Sequence, residues 1–512
     1  MDINTLLESI DIIDHRPGSN APVSGLAYHS GQVKPGDLFV CIRGYKTDGH
    51  EFINQAIDNG AVSAIVEAFQ DNISIPQYLV KDSRLALAIL ADRFFNHPSR
   101  DLILTGVTAT NGKTTTTYMI DAILSEHGFK TGLIGTVVIK TGEQLRPALL
   151  TTPESLDLHR YFREMVDQHI SHATMEVSSS GLELKRVGSV DFNTLVVNNI
   201  SREHIDLHGS FEAYFAAKAS LVRNANKNQW AIFNLDCPLT APLVSETAAK
   251  TFTYGVKTSN ADCVVHNLDL SSGRARFTVE LRKKTPADLF AHLPESFSVE
   301  LSVLGLHSVY NAMAAILVAL LHKIPAATIA RALKHFKGVE RRFELIFEED
   351  FMVIDDHFAN SGNIHVTLET LQMMKYKRLH LVYAIRGSRG VTVNRENAEA
   401  LALWAPRLGL EKIIATTSNS HVGEKDQVTP EELAVYEKVM SAAGIKTKIY
   451  TELPEAIASG LSATNSGDVL LLAGCQGMDY GASVCLTQIQ RLRPDLPQTT
   501  VFAALKNRVA GI

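Results

Sequence analysis

No apolar stretch in this 512-residue sequence is long enough to span a bilayer. The longest, around Met313 to Leu321, falls well short of the roughly 20 residues required. The opening residues, MDINTLLESIDIIDHRPG, carry acids early and lack the basic start and apolar run of a secretory signal. Cysteine is scarce. Cys41, Cys237, Cys263, Cys475 and Cys485 form no C-x-x-C pair and no compact cluster. That spacing argues against a disulfide frame or a zinc site and fits scattered thiols in a reducing compartment. Charge bias is also small: Lys+Arg 49 against Asp+Glu 55, a net charge of −6. Bulk electrostatics therefore give no reason to bind nucleic acid or an anionic membrane, and an anionic ligand has to be held by local groups. Internal repeats and low-complexity tracts are absent too. The expectation is a soluble, cytoplasmic, monomeric protein with no nucleic-acid or membrane partner.

What is present is ordinary globular composition, 45% hydrophobic and 20% charged. The length suits about three domains at roughly 150 residues each. In the first block, to about Pro98, the run from Lys34 to Ile42 reads as loop and strand. A helix-like segment from Phe52 to Asn59 and an apolar strand from Ala64 to Val66 follow. In the second, strand candidates at Leu102–Val107, Thr131–Gly135, Ala173–Val177, Thr194–Val197 and Ala231–Asn234 alternate with helical stretches. An Ala-rich helix from Asn311 to Leu321 closes the block. The third begins near Gly338, with strands at Met352–Asp355, Leu379–Ala384, Lys412–Thr416, Lys448–Tyr450 and Val469–Ala473. Strand–helix alternation predicts largely parallel sheets covered by helices. The fold class is therefore α/β in three domains. These are a small N-terminal domain (1–98), a central P-loop NTPase-like domain (99–337) and a C-terminal Rossmann-like domain (338–512).

The strongest local signal is Gly106 to Thr117, G-V-T-A-T-N-G-K-T-T-T-T, between an apolar strand and an amphipathic helix. Gly112 lets the backbone turn closely around phosphate, and successive N–H groups at the helix start face the anion. Lys113 adds a point charge at the β/γ-phosphates and Thr114 a hydroxyl for Mg²⁺. The spacing is not the standard G-x-x-x-x-G-K-[ST], since Gly106 lies one residue too far upstream. The alternative is a glycine turn with an incidental lysine.

This segment resembles the Mur ligase family signature G-x-T-G-T-N-G-K-T-T, with Ala109 in place of one glycine. Met175 to Leu182 (M-E-V-S-S-S-G-L), Asn199 to Gly209 (N-I-S-R-E-H-I-D-L-H-G), Tyr214 to Leu221 (Y-F-A-A-K-A-S-L) and Asn234 to Pro238 (N-L-D-C-P) match further family segments in order. Those segments are similar to the UDP-N-acetylmuramyl-tripeptide synthetase branch. The resemblance implies an ATP-dependent ligase that phosphorylates an acceptor carboxylate, lets an amine attack the acyl phosphate, and releases ADP and phosphate. It implies nucleotide contacts from Thr110, Asn111, Gly112, Lys113, Thr114 and Thr115. It implies metal ligation of Mg²⁺ by Thr114, Glu176 and His204, and catalytic roles for Lys113, His204 and Lys218. Lys218 matches the lysine that becomes N-carboxylated in these ligases, which turns a cation into a carboxylate-like metal ligand. Asn234, Asp236 and Asn311 are placed near adenine, although helix capping explains Asn311 equally well. Arg342 and Asp355 match residues that close over ATP.

The substrate motifs diverge. Thr151 and Thr152 match the segment that contacts the muramyl peptide, and Ser178 and Arg186 match further contacts. Ser30 sits in H-S-G where the family has D-S-R, so one cation for a UDP diphosphate is missing. Thr416 to Val422 lacks the D-N-P-R arginine that would hold an α-carboxylate bidentately. In Gly474 to Tyr480, Met478 replaces the acid that would read a distal ammonium. Both losses argue against meso-diaminopimelate. Arg386 and Arg389 could form a replacement carboxylate clamp or simply a solvated basic loop. The expected substrates are a UDP-muramyl-peptide-like acceptor and an amino acid. A divergent ligase with another acceptor, a non-catalytic precursor-binding homologue and a plain P-loop NTPase stay open as alternatives. The full set of Lys113, Thr114, Glu176, His204 and Lys218 weighs against a pure binding protein.

Overall fold

The computed structural model describes residues 3–18, 21–44, 47–201, 208–282, 294–506 and 508. The chain divides into two compact units, Met1–Thr253 with Leu317–His322, and Tyr254–Ile316 with Lys323–Ile512.

The first unit holds two sheets. In the smaller, β1 (Asp14–Arg16), β2 (Gly25–Ala27), β3 (Asp37–Val40), β4 (Ser63–Val66) and β5 (Gln77–Leu79) lie in the order β1-β5-β4-β3-β2. All neighbours are parallel except β1 and β5. Successive side chains of a strand point to opposite faces. Leu38 and Val40 therefore meet Leu87, Leu90 and Ala91 of the helix Ser83–Phe94. Phe39 joins Ile53 and Ala56 of the helix Ile53–Asp58 on the other face. Asp82 caps the longer helix by accepting from the Leu85 N–H.

The larger sheet has in this unit β6 (Ile103–Thr108), β7 (Thr131–Ile134), β8 (Val138–Thr141), β9 (Gln144–Pro147), β10 (His172–Glu176), β11 (Thr194–Val197) and β12 (Trp230–Asn234). Their order is β12-β11-β6-β10-β7-β8-β9. The five strands from β12 to β7 are parallel, and the hairpin β8–β9 adds on antiparallel. β7, β10 and β11 are buried at every residue, as sheets covered on both faces require. The carboxyl ends of β6 and β10 deliver the phosphate loop and Glu176 to one edge, where open parallel sheets bind ligands.

In the second unit, Tyr254 and Gly255, the end of β13 (Lys250–Gly255), pair with β14 (Cys263–Asp269), which continues antiparallel into β15 (Arg274–Leu281) and β16 (Ser296–Leu304). No strands are expected there from the sequence, because these segments alternate buried and exposed residues and contain no continuous apolar run. A six-stranded sheet follows: β17 (Glu344–Glu348), β18 (Met352–Asp356), β19 (Leu379–Ala384), β20 (Lys412–Thr416), β21 (Lys446–Tyr450) and β22 (Val469–Gly474), in the order β17-β18-β22-β19-β20-β21. Only the edge strand β17 is antiparallel. Because β22 lies between β18 and β19, the loops after all three meet at the carboxyl edge.

One local expectation changes. The Ala-rich helix spans Leu306–Leu321, so Asn311 lies in its interior and cannot cap it. All five cysteines are buried and unpaired. Among the described residues no helix is long and apolar enough to cross a membrane.

Candidate functional site

The phosphate loop is set between β6 and the helix Lys113–Glu126. Gly112 has φ of +89°, a conformation open to glycine at no steric cost, and it starts the helix without a side-chain cap. The first helical N–H groups therefore face outward, as anion binding requires. The loop is braced from β11's exit. Asn199 accepts the Asn111 N–H at 2.9 Å and donates to the Asn111 carbonyl at 2.8 Å, and its own carbonyl accepts the Thr110 N–H at 2.8 Å. The Thr110 hydroxyl lies 2.9 Å from Tyr214 Oη and accepts the Ser201 N–H. Thr115 lies in the first turn of the helix, half-buried.

Two lysines converge on this loop. Lys113 Nζ donates to the carbonyls of Ala109 (3.0 Å) and Thr110 (3.2 Å). Lys218 Nζ, from the helix Phe211–Arg223, donates to the same Ala109 carbonyl at 2.8 Å and lies 5.0 Å from the centre of the Tyr214 ring. Lys218 is only 1% exposed, so it is no solvated surface lysine. A buried ammonium needs partners, and here they belong to the phosphate loop.

Glu176 ends β10 fully buried, not at the surface. Its carboxylate accepts from Thr114 Oγ1 (3.0 Å), from the Thr136 N–H (2.7 Å) and from Thr136 Oγ1 (3.1 Å). A Cβ on Gly135 would meet Glu176 Oε1 at 2.5 Å, so the chain leaves that carboxylate a cradle that only glycine permits. A hydroxyl and a carboxylate beside a phosphate loop are the hard oxygen donors that Mg²⁺ takes, alongside water and phosphate. Among the described residues no group of three or more His, Cys, Asp or Glu side chains could hold a metal by itself. His204 lies outside the described residues. Thr136 carries no motif in the sequence, since it is a lone threonine in a turn, and only its placement beside Glu176 identifies it.

Next to Glu176 the acceptor candidates form one network. Thr152 Oγ1 donates to the Glu176 carbonyl at 2.9 Å, accepts the Ser178 N–H and lies 3.1 Å from Ser178 Oγ. Thr151 Oγ1 is 3.0 Å from Thr136 Oγ1. Arg186 donates to the Thr152 carbonyl and pairs with Glu154, which also pairs with Arg84. Tyr28 Oη donates to Asp157 at 2.6 Å. Burial, followed by that bond, pushes the Tyr28 phenol above its usual range. Sequence reasoning passes over Tyr28, Arg84, Glu154 and Asp157 because their partners are distant in the chain. Ser30 belongs to the scaffold, with its hydroxyl given to Gln55 at 2.8 Å. After β12, Asn234 Oδ1 accepts the Asp236 N–H at 3.0 Å and Asn234 is 5% exposed.

In the second unit Asp355 is fully buried and bonded to Arg508, which also donates to Glu344 at 2.9 Å. Arg341 lies 3.5 Å from Asp355 and donates to Asp479, to the Gly474 carbonyl and to the Cys475 carbonyl. The deeply buried arginine of the pair is thus Arg341, while Arg342 is half-buried. Burial raises the carboxyls of Glu344 and Asp479. Arg386 donates to the Ala359 carbonyl, and Arg389 pairs with Asp426 at 3.2 Å. Met478 is fully buried in the core with Leu472, Ala482 and Leu486, so its side chain is packing material and not a pocket wall.

Three family models match the chain: the Mur ligase family catalytic domain over residues 22–95, the Mur ligase middle domain over 107–319, and the Mur ligase glutamate ligase domain over 341–476. The UDP-N-acetylmuramoyl-L-alanyl-D-glutamate–2,6-diaminopimelate ligase of Geobacillus thermodenitrificans is 34% identical over 481 residues, 93% of this chain and 94% of that protein. The ligase of the same name from Listeria monocytogenes is 32% identical, with 94% of each chain covered. Among solved structures, a ligase of that name superimposes with a TM-score of 0.66 at 23% identity, covering 94% of each chain. The MurF ligase of Thermotoga maritima in complex with ADP gives 0.61 at 19% identity, covering 92% of this chain and 98% of that one. At these identities the structural likeness bears on the fold alone.

Proposed function

The chain belongs to the Mur ligase family, and on that premise we propose that it joins an amino acid to the carboxylate of a UDP-N-acetylmuramyl-peptide acceptor at the expense of ATP. The observation that carries this reading is the convergence of Lys113, Lys218, Thr114 and Glu176 on one phosphate loop. A carboxylate is a poor electrophile until it is phosphorylated. In-line transfer needs the γ-phosphate held and its charge balanced. The N–H groups after Gly112 and the Lys113 ammonium meet the β/γ-phosphates. Thr114 and Glu176 would hold Mg²⁺, which supplies charge neutralisation at the transferring phosphoryl group. The acceptor carboxylate attacks the γ-phosphorus, and an acyl phosphate and ADP form. The amino group of the amino acid then attacks the acyl carbon, loses a proton, and the tetrahedral intermediate expels phosphate. Thr151, Thr152, Ser178 and Arg186 orient the acceptor.

In this reading Lys218 is N-carboxylated and His204 serves a second Mg²⁺. Asn234, Asp236 and Asn311 serve adenine, and Arg342 and Asp355 serve the nucleotide. The enzyme works as a cytoplasmic monomer, with no nucleic-acid or membrane partner. The domain limits are 1–98, 99–337 and 338–512. The amino acid is not diaminopimelate, despite the names of the relatives, because the arginine expected after β20 is missing. Arg386 takes over the α-carboxylate. The test is isotopic. With acceptor carboxylate labelled in ¹⁸O, one label appears in the released phosphate. Phosphate free of label overturns the acyl phosphate route.

A further inference from the structure

The loop from Arg386 to Gly390 is tied down by a residue distant in sequence. Glu432, in the helix Pro430–Ala442, is 1% exposed. Its Oε1 accepts the N–H groups of Arg389 (2.8 Å) and Gly390 (2.7 Å), and its Oε2 those of Ser388 (2.9 Å) and Thr429 (3.0 Å). Three successive N–H groups at the head of the helix Val391–Trp404 form an anion-binding nest, and the chain fills it with its own carboxylate. Burial pushes the Glu432 carboxyl up, but these N–H groups outweigh it and hold the group below the usual range.

More ties surround the nest. Ser388 Oγ donates to the Gln427 carbonyl at 3.0 Å, and Asn394, 1% exposed, donates to the Arg386 carbonyl at 2.8 Å. Gln427 in turn donates to the carbonyls of Asn419 and Val422 in the loop after β20. Ser418 Oγ donates to the Gly477 carbonyl at 2.6 Å, which joins that loop to the one after β22. The loops after β19, β20 and β22 are therefore one hydrogen-bonded frame around the carboxyl edge of the sheet. Within it Arg389 is engaged by Asp426, whereas Arg386 keeps a buried Nε with no hydrogen-bond partner among the described residues.

We propose that Glu432 is the positioning residue for the amino-acid substrate: by filling the nest it fixes the backbone of Arg386, which presents its guanidinium to the substrate's α-carboxylate. The inference rests on the ligase reading. It also excludes a phosphate from this loop, glycine-rich as it is, because the nest is already occupied. A carboxylate is required there, since an amide would turn an NH₂ group against N–H donors and leave buried donors unsatisfied.

The test is steady-state kinetics of the full chain with wild type, Glu432→Gln, Glu432→Asp, Arg386→Ala and the double variant Glu432→Gln/Arg386→Ala. Glu432→Gln should raise KM for the amino acid about tenfold, the effect of losing one buried hydrogen bond. KM for ATP and for the acceptor should stay within about twofold. Glu432→Asp should fall between wild type and Glu432→Gln, and the double variant should be no worse than Arg386→Ala, because the two residues act as a unit. An unchanged KM for the amino acid, an equal rise in all three KM values, or additive losses in the double variant would overturn the proposal. If Glu432→Gln does not fold, Glu432→Asp carries the same KM split. A wild type that makes no product with any amino acid sinks the ligase reading and this inference together. An active wild type with an unresponsive KM sinks this inference alone.

Discussion

The two units hold their cations by different means. In the first, two lysine ammoniums rest on one backbone carbonyl, Ala109, and the Glu176 carboxylate beside the loop is engaged by hydroxyls and an N–H. The loop they brace is where an incoming polyphosphate would be held. In the second, carboxylates and guanidiniums are already matched: Arg508 with Glu344 and Asp355, Arg341 with Asp479, Arg389 with Asp426. Positive charge there is spent on the frame, whereas Arg386 is bonded to a backbone carbonyl, that of Ala359, and its Nε, like those of Arg341 and Arg508, has no hydrogen-bond partner among the described residues. The first arrangement suits chemistry on a phosphoryl group, the second precise placement of a smaller ligand.

The largest expected effect breaks the first arrangement. Lys113→Ala should lower kcat/KM about 10³-fold, as loss of a preorganised charge at a developing anion does, with little change in thermal stability. A loss below tenfold in the ligation assay would mean that the loop does not carry the chemistry. Lys218→Ala should cost about 10²-fold in kcat. It should also lower the denaturation midpoint modestly, because the ammonium is buried against the loop. Full ligase activity in that variant would remove the proposed carboxylation.

A smaller effect concerns position 478. If Met478 faced the substrate, Met478→Glu would restore recognition of a distal ammonium. Because the side chain is fully buried, the variant should instead lose about 3 kcal/mol of stability and gain no use of diaminopimelate. Denaturant titration together with an amino-acid panel separates the two.

The mildest perturbation is acid. Burial lowers His159, His172 and His322 of the first unit to about 4. Their folded values lie below the unfolded value of about 6.5, so the unfolded chain binds protons first and stability falls as pH drops from about 6.5 to 4. Burial raises Glu344, Asp356 and Asp479 of the second unit. Raised carboxyls act in the other sense: the folded state binds the proton first, so their contribution improves as pH falls through their folded values. They offset the losses from His307, lowered to about 4 by burial, and from His357, which burial also lowers. Hydrogen exchange at pH 7 and pH 5 should therefore show the first unit losing protection before the second. His159, with neither ring nitrogen hydrogen-bonded among the described residues, should contribute most, and His159→Leu should flatten that dependence.

The same contrast governs what could be read from sequence. The phosphate loop, Glu176 and Lys218 lie in short contiguous segments, and parallel strands buried on both faces are continuous apolar runs. Those features are local and therefore legible. Thr136 beside Glu176, Arg508 on Asp355 and Glu432 under the Arg386 loop depend on register and on packing between elements far apart in the chain, and no local pattern marks them. The strands β14–β16 escape notice for a related reason, since one face of each is polar and the apolar signal is halved. Asn311 was ambiguous only while the helix start was unknown, and Leu306 removes the capping explanation.

The most direct test of the ligase account is stoichiometry. Purified protein with ATP, Mg²⁺, a UDP-muramyl-peptide acceptor and an amino-acid panel should release one phosphate per amide bond formed, measured by phosphate assay and by mass of the product. It should release none when either co-substrate is left out. Steady phosphate release without acceptor and amino acid would contradict the account and make the protein a simple nucleotide hydrolase.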